Sequence, residues 1–331
     1  MRAFKLTIAI VIPAYNEEKT IRGVIHDFHR ILPEAELYVI DNNSNDRTYQ
    51  IAEETLAQVG ASGRVIQERR QGKANAIRRA FAEIDADIYV MTDADLTYPA
   101  KEAEILIQPV IRDEAEMVVG DRISNGRYHH ENKRPFHGFG NALVARIINV
   151  IFNSKLNDIM SGYRVFSRKF VKTYPILVEG FELETDLTLH ALDKKFRITE
   201  IPITYQDRPE GSFSKLNTFS DGFRVLWNIF RIFKDYRPLF FFGSLAVLFA
   251  LGGIAAGIPV VFEYLETRFI TRVPLAILAT GLMIVALVTF AIGTILDTVV
   301  KIHRFNYELE LLRFEGEAQR QRHKRAPQAL R

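Results

Sequence analysis

The 331-residue chain contains no cysteine. That absence excludes disulfides, thiol nucleophiles and zinc sites built on cysteine, and it fits a reducing compartment. An excess of one charge is missing too. Lys and Arg number 43 against 40 Asp and Glu, a formal net charge of +3, so the balance makes no case for a nucleic-acid partner. The start, MRAFKLTIAIVIPAYNEE, has only a short apolar run and no small-residue cleavage pattern, so it does not read as a signal peptide. Two stretches lack charge altogether, Pro238 to Phe262 and Val273 to Leu296. Each is long enough to cross a hydrocarbon core of roughly 30 Å as a helix. Helices buried in a soluble core usually carry a polar stripe, whereas these show only isolated Ser and Thr with scattered Gly and Pro.

The connector EYLETRFITR is short, so the two spans form a hairpin with both chain ends on one side. Arg224, Arg231, Lys234 and Arg237 precede the first span, and Lys301, Arg304 and Arg313 follow the second. Arg268 and Arg272 in the connector are outnumbered, and the positive-inside rule then makes the termini cytoplasmic. The expected layout is an α/β domain over 1–217, an interfacial amphipathic helix over 218–237, a transmembrane hairpin over 238–300 with spans 238–262 and 273–300, and a cytoplasmic helix and tail over 301–331. A second segment, GNALVARIINVIFN, suits either an interfacial or a core-facing helix. Gly-rich faces of the spans could pack against copies of themselves as a homo-oligomer.

Before the membrane part, strand and helix signals alternate. LTIAIVIPAY reads as a buried strand, and EEKTIRGVIHDFHRIL then sets Ile21, Val24, Ile25, Phe28 and Ile31 at helical spacing. ELYVIDN, RVIQE and IYVMTDAD repeat the strand signal, with DRTYQIAEETLAQV and GKANAIRRAFAEI between them. Such alternation implies a mostly parallel sheet with helices on both faces. Ligands collect at the carboxyl ends of such strands, where PAYNEE, DNNSND and TDAD all fall. Asp93 and Asp95, separated by one alanine, could be plain turn formers or could converge on one hard cation. Oxygen ligands suit Mg²⁺ or Mn²⁺ shared with substrate phosphates.

The motif set IPAYNEE (Ile12 to Glu18), DNNSNDRT (Asp41 to Thr48), GKANAI (Gly72 to Ile77) and DAD (Asp93 to Asp95) resembles the family 2 glycosyltransferases. The resemblance implies a Rossmann-like GT-A nucleotide-sugar domain. GDR (Gly120 to Arg122), SGYRVFSR (Ser161 to Arg168), ITEIPITY (Ile198 to Tyr205) and RPEGSFSKL (Arg208 to Leu216) look like the polyprenyl-phosphate branch, which includes dolichyl-phosphate mannose synthase. Relatives with two C-terminal spans share the whole layout. The resemblance implies that Pro13, Tyr15, Glu17 and Asp41 line the base and ribose pocket, with Lys73 also near the nucleotide, Asp93 facing it and Asp95 holding the metal. Glu17 also suits the first turn of a helix.

For the acceptor, a phosphate monoester has a second pKa of roughly 6 and is already a nucleophile at neutral pH. The site then needs cations to align it more than a strong base. Arg122, Arg164 and Lys215 are the candidates, with Ser161 or Ser214 as hydroxyl partners. Asp158 is the carboxylate expected near the reacting centre, as a base, as a partner orienting Arg164, or as a simple cap. Glu182, Glu184 and Asp186 form a weaker cluster, and His129, His130 and His137 are not spaced as a metal site. Thr97 stands where many relatives carry Gln, and Asp41-Asn42-Asn43-Ser44 where many read Asp-Asp-Gly-Ser.

The expected activity is inverting transfer of a hexose from a UDP- or GDP-sugar to a polyprenyl phosphate at the cytoplasmic membrane face. Two other readings are a processive polysaccharide synthase and a non-enzymatic membrane component. The first needs more spans and a Gln-x-x-Arg-Trp motif, and the second leaves the aligned strand-end motifs unexplained.

Overall fold

The computed structural model of the chain describes residues 6–124, 135–176, 183–206, 230–232 and 234–325, with side chains outside 135–142 and 318–325. It divides into two compact units, Met1–Thr218 and Phe219–Arg331.

In the first unit, the Ile- and Val-rich runs become strands β1 (Ile8–Ala14), β2 (Glu36–Asp41), β3 (Gly63–Gln67) and β4 (Ile88–Met91). Between them lie helices α1 (Ile21–Ile31), α2 (Thr48–Val59) and α3 (Lys73–Glu83). After two short helical turns, α4 (Ala103–Leu106) and α5 (Gln108–Ile111), come β5 (Met117–Asp121), α6 (Pro135–Phe152), β6 (Arg164–Ser167), α7 (Arg168–Thr173), α8 (Leu183–Asp193) and β7 (Ile198–Pro202). The strands form one sheet in the order β3-β2-β1-β4-β6-β5-β7.

The α1 periodicity does what it promised: Ile21, Val24, Ile25 and Phe28 are buried against Ile10, Ile12, Val39 and Val90. Each such side chain contributes about 1.5–3 kcal/mol through lost apolar exposure. Every residue of β4 is buried, because both faces of the sheet are covered. On α6, Val144, Ala145 and Ile148 are buried, which makes that side of the helix core-facing.

The sheet is mixed, and this differs from the mostly parallel expectation at one place that matters. β1 pairs in parallel with β2 and β4, but β6 runs antiparallel to both β4 and β5. Met91, the last residue of β4, faces Arg164, the first of β6. An antiparallel strand enters where its neighbours leave, so the Ser161–Arg164 segment arrives at the edge where β1, β2 and β4 end. The chain order also reverses at β1, which has β2 on one side and β4 on the other. Sheets with such a switch point bind their ligands in the crevice outside the strand ends.

The second unit contains helices α9 (Pro238–Thr267) and α10 (Val273–Arg325). Both contain stretches long and apolar enough to cross a membrane. They pack antiparallel through small residues. A Cβ on Gly253 would lie 3.0 Å from Met283 Cγ, and one on Gly293 would lie 2.9 Å from Phe242 Cβ. Where lipid tails are as apolar as leucine, such close approach of backbones replaces hydrophobic burial as the packing force. α10 continues past the end of its charge-free run as one helix. Most of the interfacial segment expected at 218–237 lies outside the described residues.

Candidate active site

Beyond β1 the chain turns at Asn16, which takes a positive φ of 54°. Asn is among the few residues that tolerate it. The Asn45 N–H donates to Asn16 Oδ1 at 2.8 Å, the Asn16 N–H to Ser44 Oγ at 3.0 Å, and the Glu17 N–H to Thr48 Oγ1 at 2.8 Å. These bonds stitch the loops after β1 and β2 together, with Pro13, Tyr15 and Glu17 half-buried along them. Asp41 ends β2 at 1 % exposure, and its Oδ1 accepts no hydrogen bond among the described residues. A buried carboxylate oxygen without a donor is costly, and a ligand N–H or O–H would relieve it.

Asn42 explains one departure from the relatives. Its amide donates to Arg70 O at 2.6 Å and Glu68 O at 3.3 Å, and its Oδ1 accepts from the Gly72 N–H at 2.7 Å. An aspartate could accept but could not donate to those carbonyls. Gly72 takes φ 120°, a conformation open to glycine, and turns the chain into α3 so that Lys73 opens the helix.

Lys73 Nζ lies 2.5 Å from Asp93 Oδ1 and 2.6 Å from Glu184 Oε1. Burial works against its charge, yet the two carboxylates outweigh burial and raise its pKa above the usual lysine range. Gly162 leaves room for this pair: a Cβ there would lie 2.8 Å from Asp93 Oδ2 and 3.1 Å from Lys73 Nζ. Of the weaker acidic cluster, Glu184 joins the site, whereas Asp186 accepts from the Tyr174 hydroxyl at 2.5 Å.

Asp95 is 4 % exposed, and its Oδ1 accepts from Thr97 Oγ1 at 2.6 Å and from the Thr97 N–H at 3.2 Å. Leu96 between them takes φ 62°, which strains a leucine by about 1–2 kcal/mol. The turn brings Thr97 back onto the carboxylate, so the threonine found in place of glutamine orients Asp95. No group of three or more candidate ligands gathers among the described residues. The oxygen donors of Asp93 and Asp95 still suit a hard divalent cation that takes its other ligands from phosphates and water.

Arg122 and Asp158 form a buried fork, 9 % and 1 % exposed. Nε donates to Oδ2 at 2.7 Å and Nη2 to Oδ1 at 2.9 Å, and the Arg122 and Met160 N–H groups add bonds at 3.1 and 3.3 Å. Asp158 therefore pairs with Arg122 and not with Arg164, whose orientation was one of the three roles left open for it. The Tyr98 hydroxyl accepts from the Gly162 N–H at 3.0 Å and from Arg122 Nη1 at 3.4 Å, while the Arg122 guanidinium lies 5.5 Å from the Tyr205 ring centre. Glu200 anchors the loop from below, accepting the Asp158 and Asn157 N–H groups at 2.8 Å. Burial raises its pKa.

Arg164 is fully buried. Its guanidinium donates to Ser161 O at 2.8 Å, Ile159 O at 2.6 Å and Thr188 Oγ1 at 2.9 Å, so it closes the 159–164 loop on itself and on α8. Ser161 is likewise buried, its Oγ accepting from the Tyr163 N–H at 3.4 Å. Ser214, Lys215, Glu182, His129 and His130 lie outside the described residues, as does the His137 side chain.

Residues 9–174 match the glycosyl transferase family 2 domain. The chain belongs to that family. It is a glycosyltransferase. The transferase is 30 % identical over 231 residues to a dolichyl-phosphate hexose transferase of Haloferax volcanii, covering 70 % of this chain and 95 % of the relative. It is 29 % identical over 298 residues to glycosyltransferase AglJ of the same organism, covering 90 % and 95 %. The polyprenyl-phosphate branch expected from short motifs thus holds over most of the chain. In fold, the transferase matches glucosyl-3-phosphoglycerate synthase of Mycobacterium tuberculosis crystallised with Mn²⁺, UDP and glucosyl-3-phosphoglycerate, at TM-score 0.51 and 22 % identity over 69 % of this chain and 79 % of that one. The Rossmann-like GT-A architecture is the one expected.

Tyr98, Asn42, Gly162 and Glu200 were missed as site residues. ITEIPITY carried Glu200 in plain view, but no local pattern tells that its carboxylate caps a loop more than forty residues away.

Proposed function

We propose that this transferase moves a hexose from a UDP- or GDP-sugar onto a polyprenyl phosphate, with inversion at the anomeric carbon. The observation that carries the reading is the gathering of Asp41, Lys73, Asp93 and Asp95 at one strand-end crevice, in a chain similar to a dolichyl-phosphate hexose transferase.

Asp41 would accept an N–H or O–H of the base or ribose, and Pro13, Tyr15 and Glu17 would line that pocket. Lys73 would lie beside the diphosphate, held charged by Asp93 and Glu184. Asp93 and Asp95 would hold Mg²⁺ or Mn²⁺, which when bound neutralises the departing diphosphate; the Mn²⁺ and UDP bound by the Mycobacterium tuberculosis neighbour support this. A phosphate-monoester oxygen forms the new bond to the anomeric carbon as the bond to the diphosphate breaks. The electron pair leaves with the nucleotide, and no proton need move. Arg122, held by its fork to Asp158, together with Ser214 and Lys215, would align the acceptor phosphate in line with that carbon. On this reading Asp158 serves as the partner that holds Arg122 rather than as a base, a role supported by the arginine and backbone donors its oxygens accept. The two apolar helices would anchor the protein in the bilayer that carries such a lipid, with the basic flanks placing both chain ends in the cytoplasm.

The test uses the full chain in lipid vesicles with polyprenyl phosphate, Mg²⁺ or Mn²⁺, and a panel of UDP- and GDP-sugars. A glycolipid forms with one donor, and Asp95→Asn lowers its rate by about 100-fold or more. No glycolipid from any donor, beside an active control transferase in the same vesicles, sinks the reading.

A further inference from the structure

α10 does not stop where its apolar run does. The charge-free stretch ends at Leu296, yet the helix runs unbroken to Arg325. At about 1.5 Å per residue, Phe305 stands about 14 Å and Leu312 about 24 Å beyond Leu296 along the axis. A segment collinear with a span points away from the bilayer and cannot lie flat on its surface.

This segment nevertheless carries an apolar stripe. Ile302, Phe305, Leu309 and Leu312 are 55 %, 64 %, 40 % and 64 % exposed, and Ile295 extends the stripe toward the membrane at 63 %. The steps of three, four and three residues are the heptad spacing of a two-helix seam, with Ile302 and Leu309 at a and Phe305 and Leu312 at d. An exposed row of large apolar groups in water calls for a partner.

The charges beside the stripe say which partner. Glu308 takes the g position and Arg313 the following e position. In a parallel pair of identical helices in register, g of one faces the next e of the other, so Glu308 meets Arg313 of the second copy twice over. An antiparallel pair sets g against g and e against e, which opposes like charges. Copies inserted the same way in one membrane can meet only in the parallel sense. Arg313 now contacts Glu310 at 2.7 Å, but both side chains are about two-thirds exposed or more, so this local pair is weak enough to yield.

We propose that residues 295–312 of α10 form a parallel two-helix coiled coil with a second copy of this chain, continuing the second span out of the bilayer. So short a seam would not hold free peptides together, but anchoring in one membrane keeps the partner close.

The natural lack of cysteine makes the test direct. In the full chain in lipid vesicles, Leu312→Cys places a thiol in the seam and Glu310→Cys places one on the far side. Mild oxidation converts most of the Leu312→Cys protein to a covalent dimer and several-fold less of the Glu310→Cys protein. Adding Glu308→Arg to Leu312→Cys lowers the dimer yield several-fold, and adding Arg313→Glu as well restores it. Equal yields at the two positions, no dimer at 312, or no response to the charge changes overturns the proposal. Quenching of a label at 312 by a lipid-soluble quencher, which would put the stripe against the bilayer, overturns it too.

Discussion

Replacing Asp158 by asparagine separates two roles that a carboxylate beside a reacting centre can have. Asp158 is 1 % exposed and receives two guanidinium nitrogens of Arg122 at 2.7 and 2.9 Å, the Arg122 N–H at 3.1 Å and the Met160 N–H at 3.3 Å. Asparagine keeps one acceptor but presents an NH₂ group to a guanidinium, donor against donor. The buried Arg122 charge then loses its carboxylate partner, and breaking such a pair from one side costs about 3–5 kcal/mol. For a unit of this size, with about 2–4 °C per kcal/mol, the melting temperature falls by about 6–20 °C. The assay is thermal and urea unfolding of the full chain in detergent, read beside kcat. Arg122→Met with Asp158→Leu removes both charges at once, so the double variant loses less than the sum of the single losses, with a coupling of about 0.5–3 kcal/mol. A simple base would behave otherwise. If Asp158→Asn melts with the wild type while kcat collapses, the fork is not what Asp158 is for, and the assignment of Arg122 as its partner fails with it.

Two further outcomes follow from single contacts. Gly162→Ala brings a methyl group within 2.8 Å of Asp93 Oδ2 and 3.1 Å of Lys73 Nζ, so the ends of these two side chains must shift. Weaker nucleotide binding by calorimetry is expected, and unchanged affinity would show that the Lys73–Asp93 contact is not part of the donor site. Glu68 is lowered from 4.5 to about 2, chiefly by the Arg70 side-chain hydrogen bonds and against the opposing effect of burial. A depressed folded-state pKa stabilises the fold above the unfolded value and loses that contribution as pH falls toward the folded one. Unfolding midpoints should therefore drop between about pH 4.5 and 2, and Glu68→Gln should flatten that slope; parallel acid profiles for the two proteins would refute it.

Much of this was readable along the chain because the signals are local. Apolar runs that stop at PAYNEE, DNNSND and TDAD mark strand ends, and the uncharged stretches from Pro238 and Val273 mark helices fit for a bilayer. Periodicity, turn chemistry and hydropathy act over a few residues, and a linear sequence displays them directly. Arg122 and Asp158 meet across 36 positions and Lys73 and Glu184 across 111, and no local pattern encodes either meeting.

The sequence by itself determined the α/β order, the polar strand ends and the family. Only the tertiary structure decided which cation faces which carboxylate. β6 runs antiparallel and delivers the Ser161–Arg164 segment to the crevice, where the buried Arg164 spends its donors on the loop while Arg122 takes Asp158. Partner choice among charged groups is set by burial and by distance across the sheet, quantities that come into being only when the chain has folded.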